Sequence, residues 1–201
     1  YASAGVYDGI PGDPGDPYGP HVRLDSGDGV FAIAESGLLR DTPAGPAKFA
    51  AGAWHSTARF DDVAGQARAG NRGAYLIAEV PLPVAALPGE LGAFAQLGVA
   101  RSDRNAIHRY LGAGVHWRGP LGHRPDDAMS IGVAHARLSD SYRRVLGRGP
   151  RAETAVEVTY AWQLTEHIAL QPDLQVIVDP ALAADIPTAV VIGARIIIAL
   201  P

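Results

Sequence analysis

The residues best equipped for chemistry are spread along most of the chain. They are Glu79, Gln96, Tyr110, His116, Arg118, Glu157, Gln163, Gln171, Asp173, Gln175 and Arg195. Arginine, carboxylate and amide side chains offer paired donors and acceptors that match neighbouring hydroxyl groups, and Tyr110 adds an aromatic face. By themselves such residues can simply line a wetted surface and pair with one another, and they suit repeated weak hydrogen bonding more than a single bond-making step.

Other groupings suggest other chemistry, and each has a simpler explanation. His55, Ser56, His135, Ser139 and Asp140 contain the ingredients of a hydrolase triad, but no Gly-x-Ser-x-Gly turn accompanies them. Asp13, Asp16, Asp25 and Asp28 are the right ligand type for Ca²⁺. Their spacing does not follow an EF-hand loop, and aspartate in a Gly/Pro-rich stretch usually builds turns. Arg137, Arg143, Arg144, Arg148 and Arg151 form a cationic run suited to phosphate groups or to an ordinary solvated loop. Gly112-Ala113-Gly114 is too short for a nucleotide-binding loop and reads as close packing in a strand. The expectation is no enzyme, no metal and no cofactor.

The elements that must hold the polar set are strands. From Val156 to Leu164 the even positions are Val156, Val158, Tyr160, Trp162 and Leu164, and the odd ones are Glu157, Thr159, Ala161 and Gln163. Ile168, Leu170, Pro172, Leu174, Val176 and Val178 then alternate with His167, Ala169, Gln171, Asp173 and Gln175. Val190, Ile192, Ala194, Ile196, Ile198 and Leu200 finish the pattern, with Gly193 and Arg195 between them. A period of two is a strand, and an apolar face about ten residues long matches a tilted strand crossing a bilayer. The facing set is too polar for the inside of a soluble sandwich.

Composition agrees. No apolar run approaches the roughly eighteen residues of a membrane helix, while barrel strands average to neutral hydropathy. The 24 Gly and 16 Pro supply turns for many strands. There is no Cys, so thiol chemistry is excluded, and a net charge of −4 gives no reason to expect nucleic acid as a partner. Tyr1 has no basic or apolar leader segment after it and begins a strand-like stretch, so an internal start is expected.

Strands are predicted over 1–8, 29–36, 48–59, 72–81, 91–102, 108–118, 128–139, 154–165, 167–178 and 189–200. The first, third and seventh connections, 9–28, 60–71 and 140–153, read as long. The second and ninth read as medium and the others as short, with a very tight turn at Glu166 that leaves Leu164 facing Ile168. With long loops outside and ten strands, both termini fall on the periplasmic side. Trp117, Tyr160 and Trp162 are expected on the lipid face, at headgroup level. No linker or long repeat divides residues 1–201, which read as one domain.

The tail carries a resemblance. Glu153-Thr-Ala-Val-Glu157-Val-Thr-Tyr160, Leu170-Gln171-Pro172-Asp173-Leu174-Gln175, Val178-Asp179-Pro180 and Ile192-Gly193-Ala194-Arg195 resemble the final strands of the carbohydrate-selective, OprB-type porins of Gram-negative outer membranes. Weaker echoes precede them in Gly5-Val6-Tyr7-Asp8-Gly9, Ala51-Gly52-Ala53-Trp54-His55, Arg72-Gly73-Ala74-Tyr75, Gly114-Val115-His116-Trp117-Arg118-Gly119 and Arg124-Pro125-Asp126-Asp127. The resemblance implies an all-β, antiparallel transmembrane β-barrel. The ten strands here would be the C-terminal part of a barrel of about sixteen. It implies a water-filled channel for passive passage of small sugars, with the polar set above as substrate-binding residues. The implied surroundings are outer-membrane lipid and lipopolysaccharide, and a homotrimer is compatible with the family. Ending on Leu200-Pro201 departs from the aromatic terminus usual in such barrels. The alternatives are a general-diffusion porin without sugar preference, an outer-membrane barrel enzyme and a soluble lectin-like sandwich.

Overall fold

The computed structural model describes residues 1–9, 27–147, 149–183 and 185–199, and all but Phe60 among them with side chains. It contains one antiparallel sheet whose spatial order is its chain order. The strands are β1 (Ala2–Asp8), β2 (Val30–Thr42), β3 (Gly45–Asp61), β4 (Ala67–Pro81), β5 (Glu90–Ala100), β6 (Ile107–Arg118), β7 (Ala128–Leu138), β8 (Ala152–Gln163), β9 (Ile168–Val178) and β10 (Ala189–Ile198). A short helix, α1 (Asp140–Leu146), lies between β7 and β8, where Ser139 caps it by accepting from the Tyr142 N–H at 3.1 Å. The sheet is open: β1 and β10 each pair on one side only.

Strands β2 to β4 run well beyond their predicted ends, and this shortens two connections. Pairing with β3 continues through Gly37 to Thr42, so β2 and β3 meet at the two residues Pro43 and Ala44. Gly45 takes φ 124 there, and the Thr42 hydroxyl donates to its carbonyl at 2.7 Å. The connection expected over 60–71 shrinks to 62–66, because Ala67, Arg68 and Ala69 pair with the end of β3 beyond a bulge between Ser56 and Arg59. At the other extreme the turn around Glu166 keeps register as expected, with the Leu164 N–H donating to Ile168 O at 2.9 Å. The first connection, with Asp13, Asp16 and Asp25, lies largely outside the described residues, as do Arg148 and Leu200.

No second layer covers the sheet. Among the described residues the buried apolar side chains are only Ala47, Ala50, Ala58, Leu138 and Ala169, far too few for the packed face of a sandwich. On the face bearing Leu174 and Val156, Ile192 is 81% exposed, Ile196 66% and Ile198 64%. An apolar surface of this extent needs a partner, and for a sheet of strand length 10 to 17 residues (β1 apart) a bilayer is the natural one. Among the described residues no helix is long and apolar enough to cross a membrane, which says nothing of crossing by strands.

The two ends of the sheet differ. One carries the turns at 43–44, 82–89, 119–127 and 164–167 and is termed the turn end; the other carries the remaining connections and is termed the loop end. At the turn end the stretch 119–127 is locked to β8 through Asp127, which is 1% exposed. Its carboxylate accepts from Arg124 Nε at 2.5 Å, from the Tyr160 hydroxyl at 2.5 Å and from the Gln163 N–H at 3.0 Å. Arg124 also donates to Gln163 O at 2.8 Å and sits 5.5 Å above the Trp162 ring. The Arg124 guanidinium, with the Tyr160 and Gln163 donors, holds the Asp127 carboxyl down at about 2.

Candidate functional site

Register decides which side chains share a face, because directly opposed residues point the same way. Gly193 opposes Asp173 and Arg195 opposes Gln171. Glu157 opposes Gln175 and Thr159 opposes Asp173, while Gln163 opposes Ala169. Following Glu157 to Gly132, Gly132 to Gly114 and Gly114 to Phe94 carries the same face across β7, β6 and β5. His116, Arg118 and Tyr110 lie on it in β6, Gln96 in β5 and Glu79 in β4. All the polar residues singled out from sequence therefore stand on one face of the sheet, and the most exposed isoleucines, Ile192, Ile196 and Ile198, stand on the other.

They are not gathered at one point. Glu79, Gln96, His116 and Arg118 line a groove of about 580 Å³ together with Glu90 and Phe94, a volume within the roughly 300–1,000 Å³ of small-molecule sites. Tyr110 and Glu157 flank a smaller one of about 290 Å³ on the far side of Phe94. Gln163, Gln171, Asp173, Gln175 and Arg195 lie further along, on the wall of β8 to β10.

Little of this polarity is spent within the protein. The contacts are His116 Nδ1 with Ser130 Oγ at 2.9 Å, Gln175 with Asp173 at 3.5 Å, Gln163 Nε2 with Thr165 O at 2.6 Å and a solvent-exposed Arg118–Asp126 pair at 3.9 Å. Glu79, Glu157 and Arg195 have no hydrogen-bond or ion-pair partner among the described residues. Charges of both signs are thus presented to the space in front of the sheet, with Lys48 directly opposite Glu79.

The same face holds aromatic residues that the sequence reading left out. Trp54 opposes Gly73 and Tyr75 opposes Gly52, and each ring lies flat on its partner's glycine. A Cβ on Gly73 would come within 2.6 Å of the Trp54 indole, and one on Gly52 would meet the Tyr75 ring. Phe94 lies in the same way over Gly114. Tyr7 and Phe31 have ring centroids 6.2 Å apart, and Phe31 and Trp54 6.0 Å. Glu35 accepts from the Tyr1 hydroxyl at 2.6 Å and from the Tyr75 hydroxyl at 2.8 Å, which ties β1, β2 and β4 across this face. A sequence signal for these rings exists: Gly5-x-Tyr7, Gly52-x-Trp54, Gly73-x-Tyr75 and Gly92-x-Phe94 repeat one spacing.

Trp117, Tyr160 and Trp162 stand on the opposite, apolar face at the turn end, as expected. There the Trp117 indole N–H donates to Pro88 O at 2.7 Å. The hydrolase ingredients are not assembled. His55 and the buried Ser56 point to opposite faces of β3, His135 bonds Thr154 at 2.8 Å on β7, and Ser139 is a helix cap.

Comparison with known proteins adds to this geometry. A family model described as carbohydrate-selective porin, OprB family, matches residues 1–200. Porin B of Pseudomonas aeruginosa PAO1 is 25% identical over 186 residues, which cover 75% of this chain and 40% of that protein. A solved structure, the high-pH form of Pseudomonas putida OprB, superposes with a TM-score of 0.81 at 20% identity, over 97% of this chain and 54% of that one. The chain therefore spans about half or less of the length of the proteins it matches.

Proposed function

We propose that this chain, which belongs to the carbohydrate-selective porin family OprB, forms one side of a water-filled outer-membrane channel through which small sugars diffuse passively. Its apolar face meets lipid and its polar face lines the lumen. The observation that carries this reading is the division of the sheet: unpaired Glu79, Glu157 and Arg195 on one face, and isoleucines up to 81% exposed on the other. Only a wall between water and hydrocarbon stabilises both faces at once. The turn end then faces the periplasm and the loop end the exterior. The open edges at β1 and β10 are closed by further strands of the same barrel, about sixteen in all.

Sugars are recognised by distributed contacts. Glu79, Gln96, Tyr110, His116, Arg118, Glu157, Gln163, Gln171, Asp173, Gln175 and Arg195 exchange hydrogen bonds with hydroxyls, and the faces of Trp54, Tyr75 and Phe94 receive the CH surface of the ring. Each contact is weak enough for the solute to leave, as conduction requires. Nothing in this scheme makes or breaks a covalent bond; it is passage, not catalysis. Mixed charge along the lumen favours neutral solutes over anions of similar size. Liposome swelling with the natural full-length protein tests this by comparing glucose with gluconate. Faster glucose entry is expected, and equal rates would leave a general-diffusion porin.

A further inference from the structure

The lipid-facing side of the wall has a second chemical feature, at the loop end. Arg109 on β6 and Arg137 on β7 are directly opposed across the ladder, point to the apolar face, and are both exposed. Like charges in that position repel. Neither has a hydrogen-bond or ion-pair partner among the described residues. They stand one residue pair beyond Leu111 and two from Val133, level with the exposed Val99, which directly opposes Arg109, and through it with Ala74 and Ala53.

One residue pair further out, a second cationic pair lies on β4 and at the end of β5. The Arg101 N–H donates to Arg72 O at 3.2 Å, Arg72 is directly opposite His55, and the Arg72 side chain has no hydrogen-bond or ion-pair partner among the described residues. Arg101 alone is neutralised, by a two-pronged contact with Asp103 at 2.9 and 3.0 Å. Immediately below His55 and Arg72, the directly opposed alanines Ala4, Ala34, Ala53 and Ala74 cross β1 to β4 and floor an apolar groove of about 710 Å³. A cationic rim beside and above an apolar trough is the complement of a lipid with anionic oxygens on its headgroup. Arginine meets phosphate with two parallel hydrogen bonds, and a phosphate between Arg109 and Arg137 would replace repulsion with attraction.

We infer that this rim is a docking surface for a phosphorylated glycolipid of the outer leaflet, of the lipid A class, with its phosphates on Arg109, Arg137 and Arg72 and an acyl chain in the alanine-floored groove. The inference rests on the membrane-wall reading proposed above, and it concerns the lipid side of that wall, not the lumen.

The test uses the natural full-length protein in detergent micelles doped with bisphosphoryl lipid A or its dephosphorylated form, with retained lipid counted by native mass spectrometry. Wild type should retain the phosphorylated form at least about tenfold better, the factor expected when one charge-assisted hydrogen bond is lost. Excess inorganic phosphate should not displace it. R109Q/R137Q should lose the preference, whereas R40Q, an equal charge change at the turn end of the same face, should keep it. Equal retention of the two lipid forms by wild type would overturn the inference without relying on any variant, and so would an unchanged preference in R109Q/R137Q. Flotation of the protein with liposomes, scored separately, reports on the membrane-wall reading itself: if the protein does not float, both readings fall.

Discussion

The two flanks of this sheet build the same wall with opposite distributions of bulk. In β8 to β10 the large side chains, such as Val156, Leu174, Ile192 and Ile196, are on the lipid face, and the lumen face carries Glu157, Asp173, Gln175 and Arg195. In β1 to β4 a band of alanine (Ala4, Ala34, Ala53, Ala74) crosses the lipid face between Val6 and the cluster of Leu38, Phe49 and Leu76, and the aromatic bulk opposite that band lies inside as Tyr7, Phe31, Trp54 and Tyr75. Their fastenings differ too. Rings laid on glycines and two tyrosines on Glu35 hold the first flank, whereas the carboxylate knot at Asp127 holds the turn beside the second. Polarity alone therefore does not define the lumen; it can be lined by flat aromatic surface as readily as by amides.

The largest effect should come from the knot. Asp127→Ala leaves Arg124 and the Gln163 N–H without their acceptor, and breaking such a buried pair costs about 3–5 kcal/mol, measurable by urea unfolding in micelles. Because the Asp127 carboxyl is held down at about 2 in the folded protein, its contribution is complete above the unfolded value near 4. It fades as pH falls from about 4 toward about 2, so the gap between wild type and Asp127→Ala should narrow over that window. A gap unchanged at low pH would break the assignment of the knot to the ionised carboxylate.

Next in size is Ile192→Arg, near the middle of the lipid face of β10, where an arginine at the bilayer midplane costs about 2–4 kcal/mol. The same unfolding assay reads it. A cost below about 1 kcal/mol would mean that Ile192 does not face hydrocarbon.

How much of this was legible in the sequence follows the same division. The second flank could be read because its alternation pits isoleucine and leucine against charge, which sets strand, face and register together; every polar residue chosen there lies on one face, opposite Val156, Leu174 and Ile192. The first flank could not, because alanine opposite tryptophan or tyrosine gives no polarity signal, and large apolar residues suggest the lipid side. The extension of β2 to β4 was missed for a related reason: Gly37, Gly70 and the alanines near them look like turn residues until a partner strand, or a ring laid on the glycine, supplies their contacts. The Asp127 knot depends on Tyr160 and Gln163 arriving from β8, which no local pattern announces.

Two smaller effects sharpen the contrast. Gly73→Val must push the Trp54 indole off the wall and should cost about 1–3 kcal/mol, the usual penalty for overpacking. Gly193→Ala meets only the Asp173 carboxylate, whose free end can swing away, so its cost should be near zero in the same unfolding assay. Equal costs at both sites would contradict the distinction between fastenings. Smallest is Arg195→Leu. Loss of one donor among many removes about 1 kcal/mol of sugar contact, so liposome swelling with glucose should slow modestly. With Glu157 and Asp173 then less compensated, bilayer conductance should shift toward cations.

The claim that the lumen changes from aromatic to polar surface across one continuous wall is tested most directly by accessibility. The chain has no Cys, so single cysteines are free of background. In the natural full-length protein embedded in outer membrane, a water-soluble maleimide should label cysteine placed at Trp54, Tyr75, Glu157 and Asp173, and spare it at Ala53, Ala74, Val156 and Ile192. Labelling at Ala53 and Ala74 with protection at Trp54 and Tyr75 would contradict the account, because the first flank would then have its bulk in lipid like the second.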